Sequence, residues 1–361
     1  MTNHPVTAHD PTLNQFGFCV PLFAYPGAAF FRTPNWTALD PAAAVDAALV
    51  AERLGYDSLW VADHLVHGND GGILEGWSTL SFLAGRTSRI RLGTIHLSHH
   101  FRPPGLTAKM AATLDALSDG RLIFFYDIGG GIPECPAYGY DVPPLGERIA
   151  RLDEGLTLIK RLWNAEEPLT FTGNYYHTDA AICRPKPHQR PMPPIWLGEI
   201  REDPWCDVVC RHATGWNSTP ASLATLRSKL EKLASAASRA GRDLASFELS
   251  LEIEILIGEN RAEVRRLADQ IAAHPSTSQA RQRDDVLEFL RTTDPATQTT
   301  LPASYEERVL IGTPDEIVDR LRAYGELGIS HYMLWFLDFP ATRGMELFAE
   351  KVRPAVRQRA R

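Results

Sequence analysis

The chain has 361 residues, of which 44% are hydrophobic and 22% charged, and its formal net charge at pH 7 is -7. This composition is typical of an ordinary globular protein, and the acidic balance excludes the basic surface that nucleic-acid binding needs. Five cysteines exclude a disulfide framework, while a polar N-terminus and the lack of a long apolar run exclude a secretory signal and a membrane span, so we expect a cytoplasmic protein.

The first part of the chain predicts a flexible tail, a strand and a long loop. Residues 1–15 are polar, and the following run from Phe16 to Pro21 is typical of a strand that a proline ends. The loop over residues 22–40 is rich in aromatic side chains, and loops this long are usually functional or disordered. Its aromatic residues either shape an apolar substrate pocket or pack on each other or on another subunit, the pocket candidates being Phe23, Tyr25 and Trp36.

The first helix is predicted to begin at Asp40 and Pro41, which have the character of an N-cap and a first-turn proline. Gly55 is predicted to end it. The spacing of its apolar residues predicts a buried stripe made of Val45, Ala48, Leu49 and Leu54.

The second strand, predicted over residues 58–62, ends at two titratable residues, Asp63 and His64. Binding groups collect where parallel strands end in α/β proteins, and a histidine there can gain or lose a proton near neutral pH. We therefore take His64 as the first candidate for a catalytic residue. The alternative interpretation is a hydrogen-bonded histidine beside the core.

The third and fourth predicted strands also end at polar or small residues. The third, over residues 90–97, is followed by Ser98 and by His99 and His100, which we expect to lie in an exposed loop. The fourth, over residues 121–128, is nearly all apolar, which indicates burial on both faces, and it ends in a run of glycines, Gly129, Gly130 and Gly131.

Metal binding is an alternative use of these side chains. The histidines His96, His99 and His100 leave a metal-dependent hydrolase open, although no carboxylate lies at helical spacing from them. Cys206 and Cys210 are four residues apart on a predicted helix, a spacing that suits a metal pair but is more typical of two packing thiols. We therefore predict no metal site.

The number of strands decides the predicted architecture. Eight strands alternate with helices, the last four over residues 195–198, 214–217, 247–257 and 332–336. This alternation is typical of a (β/α)8 TIM barrel. A doubly wound sheet would carry a glycine-rich phosphate turn after its first strand, and the sequence after Pro21 has none. We expect one barrel domain over residues 16–361, with an insertion or lid at about 273–308, where the sequence is polar and broken by prolines.

Four motifs in register resemble the luciferase-like flavin-dependent oxidoreductases. They run from Pro143-Pro144-Leu145-Gly146-Glu147-Arg148 to Trp163, from Pro185-Lys186-Pro187 to Trp196, from Ala213 to Asn217, and from Gly312-Thr313-Pro314 to Ile329. The resemblance covers about residues 16 to 337. It implies a (β/α)8 barrel with an insertion late in the chain, in agreement with the strand count.

The resemblance also implies a cofactor and a reaction class. The main expectation is a monooxygenase that uses reduced FMN and O2 on a small organic substrate, with a separate flavin reductase as a possible partner. The alternative is hydride transfer with the deazaflavin coenzyme F420, and an alternative of another class is a barrel that binds flavin without turnover. The resemblance further implies a homodimer or homotetramer, without a nucleic-acid or membrane partner.

The resemblance assigns roles to residues at the strand ends. His64 matches a histidine that relatives use as acid or base, and Asp63 would orient it or hold the turn. The segment of Ile95, His96 and Ser98 matches the one that backs the cofactor ring, often through a strained peptide bond. The turn with Gly129 and Gly130 would let the backbone approach a ring or phosphate closely.

The sequence departs from the family pattern in two places. Phe125 and Asp127 stand where many relatives have glycine, so they could narrow the ring pocket, and the charge of Asp127 would disfavour an anionic ring, unless both side chains point away. After the fifth strand the chain has Glu199, Ile200 and Arg201 in place of a small serine-containing turn. Arg201 could bind the cofactor phosphate or could be solvated.

Overall fold

Eight parallel strands close into a barrel, which confirms the predicted (β/α)8 TIM barrel. The structure is a computed structural model that describes residues 14–26, 31–129, 134–199, 203–274 and 309–357. Around the barrel the strands follow chain order, and the last one pairs with the first. They are β1 (Gln15–Cys19), β2 (Ser58–Ala62), β3 (Arg91–Ile95), β5 (Leu122–Asp127), β8 (Ile195–Gly198), β9 (Gly215–Ser218), β10 (Glu248–Ile257) and β12 (His331–Phe336).

In the part of the chain that the structure describes, four further strands lie outside this cycle. Strand β4 (Leu97–Ser98) pairs with the end of β5, and β11 (Val309–Gly312) pairs with the end of β10. Strands β6 (Leu169–Thr172) and β7 (His177–Ala181) form an antiparallel hairpin.

Helices connect the strands and cover the barrel. The helices in the described ranges are α1 (Pro41–Arg53), α2 (Gly76–Arg86), α3 (Pro104–Leu117), α4 (Glu134–Ala137), α5 (Leu145–Asn164), α6 (Asp203–His212), α7 (Leu223–Arg239), α8 (Arg261–Ala273), α9 (Pro314–Glu326), α10 (Arg343–Leu347) and α11 (Arg353–Arg357), with a 3-10 turn at Leu244–Ser246 and a π-helical turn at Phe348–Val352. No helix in these ranges is both long and apolar enough to cross a membrane.

Helix α1 begins as the sequence predicts but buries a different face. The Asp40 side chain accepts hydrogen bonds from the N–H groups of Ala42 and Ala43, and Pro41 occupies the first turn. The predicted stripe is wrong apart from Ala48, because Val45, Leu49 and Leu54 are only half-buried. The helix instead buries small side chains, which let its backbone approach the barrel closely, namely Ala44, Ala47, Ala48 and Ala51.

Large rings fill the middle of the barrel. The ring centroid of Trp60 lies 5.2 Å from that of Trp196 and 6.1 Å from that of Phe125, and all three side chains are fully buried. Phe125 therefore points into the barrel, not away from it. Below these rings the Ser58 hydroxyl accepts from Trp60 and lies 2.8 Å from Nε2 of His331. The interior is thus closed below the C-terminal ends of the strands, where the predicted site residues lie.

Several expectations fall on residues that the structure does not describe. They include residues 1–13 of the predicted tail, residues 27–30 of the aromatic loop and residues 275–308 of the predicted lid. Gly130, Gly131, Ile200 and Arg201 also lie outside the described residues. The domain boundaries and the roles expected for these residues stay predictions.

Candidate functional site

His64 leaves the end of β2 and is held by a carboxylate from another loop. Its Nδ1 lies 2.8 Å from Oε1 of Glu134, at the start of α4. Because an ionised carboxylate only accepts hydrogen bonds, Nδ1 carries the hydrogen, and Nε2 is left to face a substrate. The imidazole is 23% exposed, whereas the side chain of Glu134 is 1% exposed. A molecule in the barrel mouth can therefore meet His64 but not Glu134.

Glu134 also fixes the backbone that follows His64. Its Oε2 accepts the N–H groups of Leu65 at 2.6 Å and of Val66 at 2.8 Å. Burial alone would raise the pKa of Glu134, but the hydrogen bonds from His64 and from these two N–H groups outweigh burial and hold the pKa below its ordinary value. A negative charge thus stays beside Nδ1 of His64. Glu134 cannot be recognised from the sequence, because no local pattern marks it.

An aromatic group packs on the other side of His64. The ring of His67 stacks on that of His64 with centroids 4.6 Å apart and an interplanar angle of 10°. Phe23 and Tyr25 surround His67 at 4.3 and 5.1 Å. Burial, followed by the nearby His64, lowers the pKa of His67 to about 3, so His67 is neutral at neutral pH. Two of the three predicted pocket aromatics therefore pack on His67, the neighbour of His64, while Trp36 packs edge-on against Phe339 at 4.7 Å.

Asp63 holds the turn and does not contact His64 by a hydrogen bond. It accepts the N–H of Ser98 and both terminal nitrogens of Arg102, each at 2.9 Å. Arg102 also pairs with Glu75, just before α2. Burial would lower the pKa of Arg102, but the hydrogen bonds and charges of Asp63 and Glu75 raise it. This cluster, which is buried at Asp63 and Arg102 and open at Glu75, joins the end of β2 to the segment after β3, where Ser98 contributes its backbone N–H.

His96 and Asp127 form a second pair at the barrel mouth. Nδ1 of His96 lies 3.1 Å from Oδ2 of Asp127, and the Ile95–His96 peptide bond is cis. Burial would lower the pKa of His96, but the hydrogen bond to Asp127 and the charge of Asp127 raise it. Nε2 of His96 is buried and has no hydrogen-bond partner among the described residues. The charge of Asp127 is therefore met by a neighbouring imidazole.

The remaining cofactor candidates are tied to the protein itself. Glu199 binds the hydroxyls of Ser218 and Thr219 at 2.9 and 2.5 Å, and the amine of Lys229 at 2.5 Å. Gly129 has a φ of +69°, and a Cβ there would lie 2.6 Å from the Ser98 hydroxyl oxygen. The positive φ and the contact with Ser98 therefore require glycine at this position, whether or not a ligand approaches it.

Arg32 is a further charged residue near the barrel strands that no sequence motif marks. It follows the aromatic part of the loop after β1, with a φ of 56°. Its guanidinium lies 3.1 Å from Glu252 and 4.8 Å from the ring centroid of Trp335, and Trp335 donates to Glu252 at 2.7 Å. A local sequence pattern cannot show that Arg32 contacts Glu252 and Trp335, because both lie more than 200 positions later in the chain.

The described residues give no support to the metal-dependent hydrolase. Within them no group of three or more His, Cys, Asp or Glu side chains could hold a metal ion. The expectation that His99 lies in an exposed loop is wrong: it is buried, its ring lies 4.2 Å from that of His100, and its pKa is lowered to about 3, by burial first and by His100 second. His99 and His100 therefore form a pair of neutral, packed imidazole rings instead of an exposed loop.

Comparisons with known proteins agree with this architecture. The sequence model of the luciferase-like monooxygenase family matches residues 26–331. An F420-dependent glucose-6-phosphate dehydrogenase from Nakamurella multipartita is 30% identical over 328 residues, covering 88% of this chain and 93% of the relative. The enzyme of the same name from Beutenbergia cavernae is 31% identical over 323 residues, covering 87% and 93%.

Solved structures show the same fold at lower identity. An F420-dependent secondary alcohol dehydrogenase in complex with an F420-acetone adduct has a TM-score of 0.72 and 20% identity, covering 96% of this chain and 100% of the other. A long-chain alkane monooxygenase has a TM-score of 0.75 and 15% identity, covering 96% and 92%. The chain is thus an oxidoreductase that belongs to the luciferase-like monooxygenase family.

Proposed function

We propose that the chain is a coenzyme F420-dependent oxidoreductase that moves hydride between the cofactor and the hydroxyl-bearing carbon of an organic substrate. The observation that carries the proposal is the imidazole of His64, fixed by Glu134 at the barrel mouth with Nε2 left to act on a substrate. The curated relatives reported above are F420-dependent dehydrogenases, which favours the alternative expectation over the FMN monooxygenase. The long-chain alkane monooxygenase is only 15% identical, so its similarity supports the fold and not the reaction.

The residues at the mouth fit a heteroaromatic cofactor ring. Nε2 of His96 is a buried nitrogen without a partner among the described residues, and such a group costs free energy until a ligand or a water pairs with it. The edge of a deazaflavin or flavin ring carries oxygen and nitrogen atoms that can do so. Ile95, His96 and Ser98 would hold the ring, and bound coenzyme F420 would supply the hydride acceptor.

His64 would take the proton that the oxidation releases. As the substrate hydroxyl gives its proton to Nε2, the carbon loses hydride and the carbon–oxygen single bond becomes a carbonyl. The carboxylate of Glu134 stabilises the imidazolium that forms and keeps the ring in place. Neutral His67, with Phe23 and Tyr25, closes one side of the imidazole and keeps water from that face.

The test is a pair of anaerobic binding titrations of the purified protein, with coenzyme F420 and with reduced FMN, followed by turnover assays. Glucose 6-phosphate and 2-propanol are suitable first donors, because both carry a hydrogen on a hydroxyl-bearing carbon. We expect F420 to bind more tightly than FMN and its absorbance to fall with an accepted donor. Tighter binding of FMN, with oxygen-dependent decay of the reduced flavin, would contradict the proposal.

Two other outcomes bear on the alternatives. Retention of either cofactor without turnover of any donor would favour the non-catalytic binding barrel. The substrate, the homo-oligomeric assembly and a partner reductase stay predictions, and the cytoplasmic location is likewise an expectation from sequence.

A further inference from the structure

A large basin lies at the N-terminal end of the barrel, on the face opposite His64. Its volume is about 1550 Å³. Its lining includes the first residues of four barrel strands, namely Gln15, Arg91, Ile195 and Glu248. The buried layer of aromatic rings in the middle of the barrel separates this basin from the mouth. A molecule in the basin therefore cannot reach the residues proposed for catalysis.

The lining of the basin is more basic than the protein as a whole. It contains five lysine and arginine residues and three acidic residues, whereas the formal net charge of the chain is -7. The three acids already bind protein groups. Glu52 accepts three backbone N–H groups. Asp57 pairs with Arg357 at 2.6 Å, and Glu248 lies 2.9 Å from Nδ1 of His331.

Two half-buried cations of the lining, Lys160 and Arg242, have no carboxylate partner among the described residues. The amine of Lys160, on α5, makes neither a hydrogen bond nor an ion pair within this part of the chain. Burial first and the charge of Arg242 second lower the pKa of Lys160. Partly desolvated cations that repel each other cost free energy, and an anion that contacts both would offset this cost.

Arg242 is held in place and still has donors for a ligand. Its Nη1 donates to the carbonyl oxygens of Cys210 and Ala213 at 2.9 and 2.8 Å, and its Nη2 donates to the Ser246 hydroxyl at 3.1 Å. The guanidinium also lies over the ring of Phe247, 3.9 Å from the centroid. A guanidinium has five N–H groups, of which three are used here, so two remain. Capping of α6 accounts for the position of Arg242 but not for a second cation beside it.

We propose that the basin is a second ligand site, in which Lys160 and Arg242 together bind a phosphate or polycarboxylate group of a small molecule. Lys160 supplies a flexible ammonium with three donors, and Arg242 supplies a planar guanidinium that suits two oxygens of such a group. Apolar side chains of the same lining, including Met192, Leu249 and Leu327, would contact the rest of the ligand. The site does not depend on the function proposed for the mouth, since the aromatic layer separates the two.

Calorimetric titrations of the cofactor-free protein with pyrophosphate and with citrate test the site, at low ionic strength so that salt does not screen the charges. We expect one of the two anions to bind at one site per chain. Lys160→Gln should weaken its binding by about tenfold, since hydrogen bonds between charged groups are lost. Lys232→Gln removes an exposed ammonium from α7 and should bind as the wild type does. Arg242→Lys keeps the charge but not the planar donor group and should also bind more weakly, with circular dichroism to confirm folding.

Chemical labelling locates the bound anion without any activity assay. Lysine amines are acetylated with N-hydroxysuccinimide acetate, and mass spectrometry follows each lysine. The anion should protect Lys160 and leave Lys232 as reactive as before. Binding that is equally tight in Lys160→Gln and the wild type, equal weakening in the Lys160 and Lys232 variants, or equal protection of the two lysines would place the anion elsewhere and overturn the inference. A wild type that binds neither anion at millimolar concentration would overturn it as well.

Discussion

Substitutions of His64 and of Glu134 test the proposed function at the level of single residues. In His64→Gln the side chain cannot take the substrate proton, so we expect kcat to fall by about 10²–10⁴-fold. Binding of coenzyme F420 should change little, because the residues proposed to hold the ring are on other strands. The measurement is kcat by F420 absorbance beside a cofactor titration. A variant with unchanged kcat would remove His64 from the reaction.

Glu134→Gln removes the charge beside Nδ1 and keeps the size of the side chain. The glutamine can still accept from the backbone, but it no longer stabilises an imidazolium, so we expect kcat to fall by about 10–100-fold with KM little changed. Glu167→Gln, at an exposed position, is the matched control and should behave as the wild type. Equal kinetics in the two variants would show that Glu134 only holds the loop.

The sequence could point to His64 but not to its partner. A titratable residue directly after a buried strand is visible in the local pattern, whereas Glu134 follows 70 residues later and meets His64 only when the barrel closes. The nearer acid, Asp63, is instead drawn to Arg102, since a buried carboxylate needs a cation and N–H donors. The hydrogen bonds of Asp63 therefore fit the second of its two expected roles, holding the turn, while Glu134 orients His64.

At the scale of elements, the strands were more predictable than the faces of the helices. Most barrel strands are short and largely apolar, and burial on both sides makes such runs easy to recognise. The buried face of α1 is made of alanines, because the helix lies close to the strands and only small side chains fit between them. A pattern that weighs residues by hydrophobic size favours Val45 and Leu49 and so misses that face.

Gly76 sets how closely α2 can approach the end of β2. A Cβ at this residue would lie 2.4 Å from the carbonyl oxygen of Ala62, and neither backbone can yield without moving Asp63 and His64. We expect Gly76→Ala to lower the free energy of unfolding by about 1–3 kcal/mol and to lower turnover as well. Urea unfolding and kcat measure the two effects.

Gly85 provides the matched control on the same helix. A Cβ there meets nothing within 4 Å, so Gly85→Ala should raise the free energy of unfolding by up to about 1 kcal/mol through better helix propensity. The same loss of stability in both variants would show that the cost at Gly76 does not come from its contact with Ala62.

At the scale of the whole molecule, neutral buried histidines should make the fold sensitive to mild acid. Burial is the main cause that lowers the pKa of His67 and His99 to about 3, and it also lowers the pKa of His100 and His331. In the unfolded chain each of them would bind a proton near pH 6.5. Below that pH the unfolded state holds more protons than the folded state, so stability falls as the pH falls.

Other groups do not cancel this effect. The raised pKa of His96 contributes stability that is fully present below pH 6.5 and is lost as the pH rises above it, so it offsets part of the effect between pH 7 and 6.5 and adds no slope below that range. Burial raises the pKa of Asp338 to about 6, so its carboxyl offsets roughly one histidine between pH 6 and 4. Carboxylates with lowered pKa values, such as Glu52 and Glu134, act only below about pH 4.5.

We therefore expect the free energy of unfolding to be about 2–4 kcal/mol lower at pH 5.5 than at pH 7, with the half-buried His100 contributing less because solvent screens it. Urea unfolding at the two pH values measures this difference. In His99→Phe it should shrink by about 1 kcal/mol, since one proton no longer binds the unfolded chain, whereas exposed His177→Phe should leave it unchanged. Equal wild-type stability at both pH values would mean that these histidines gain protons without unfolding, and that the packing around His67 and His99 opens to water in the folded protein.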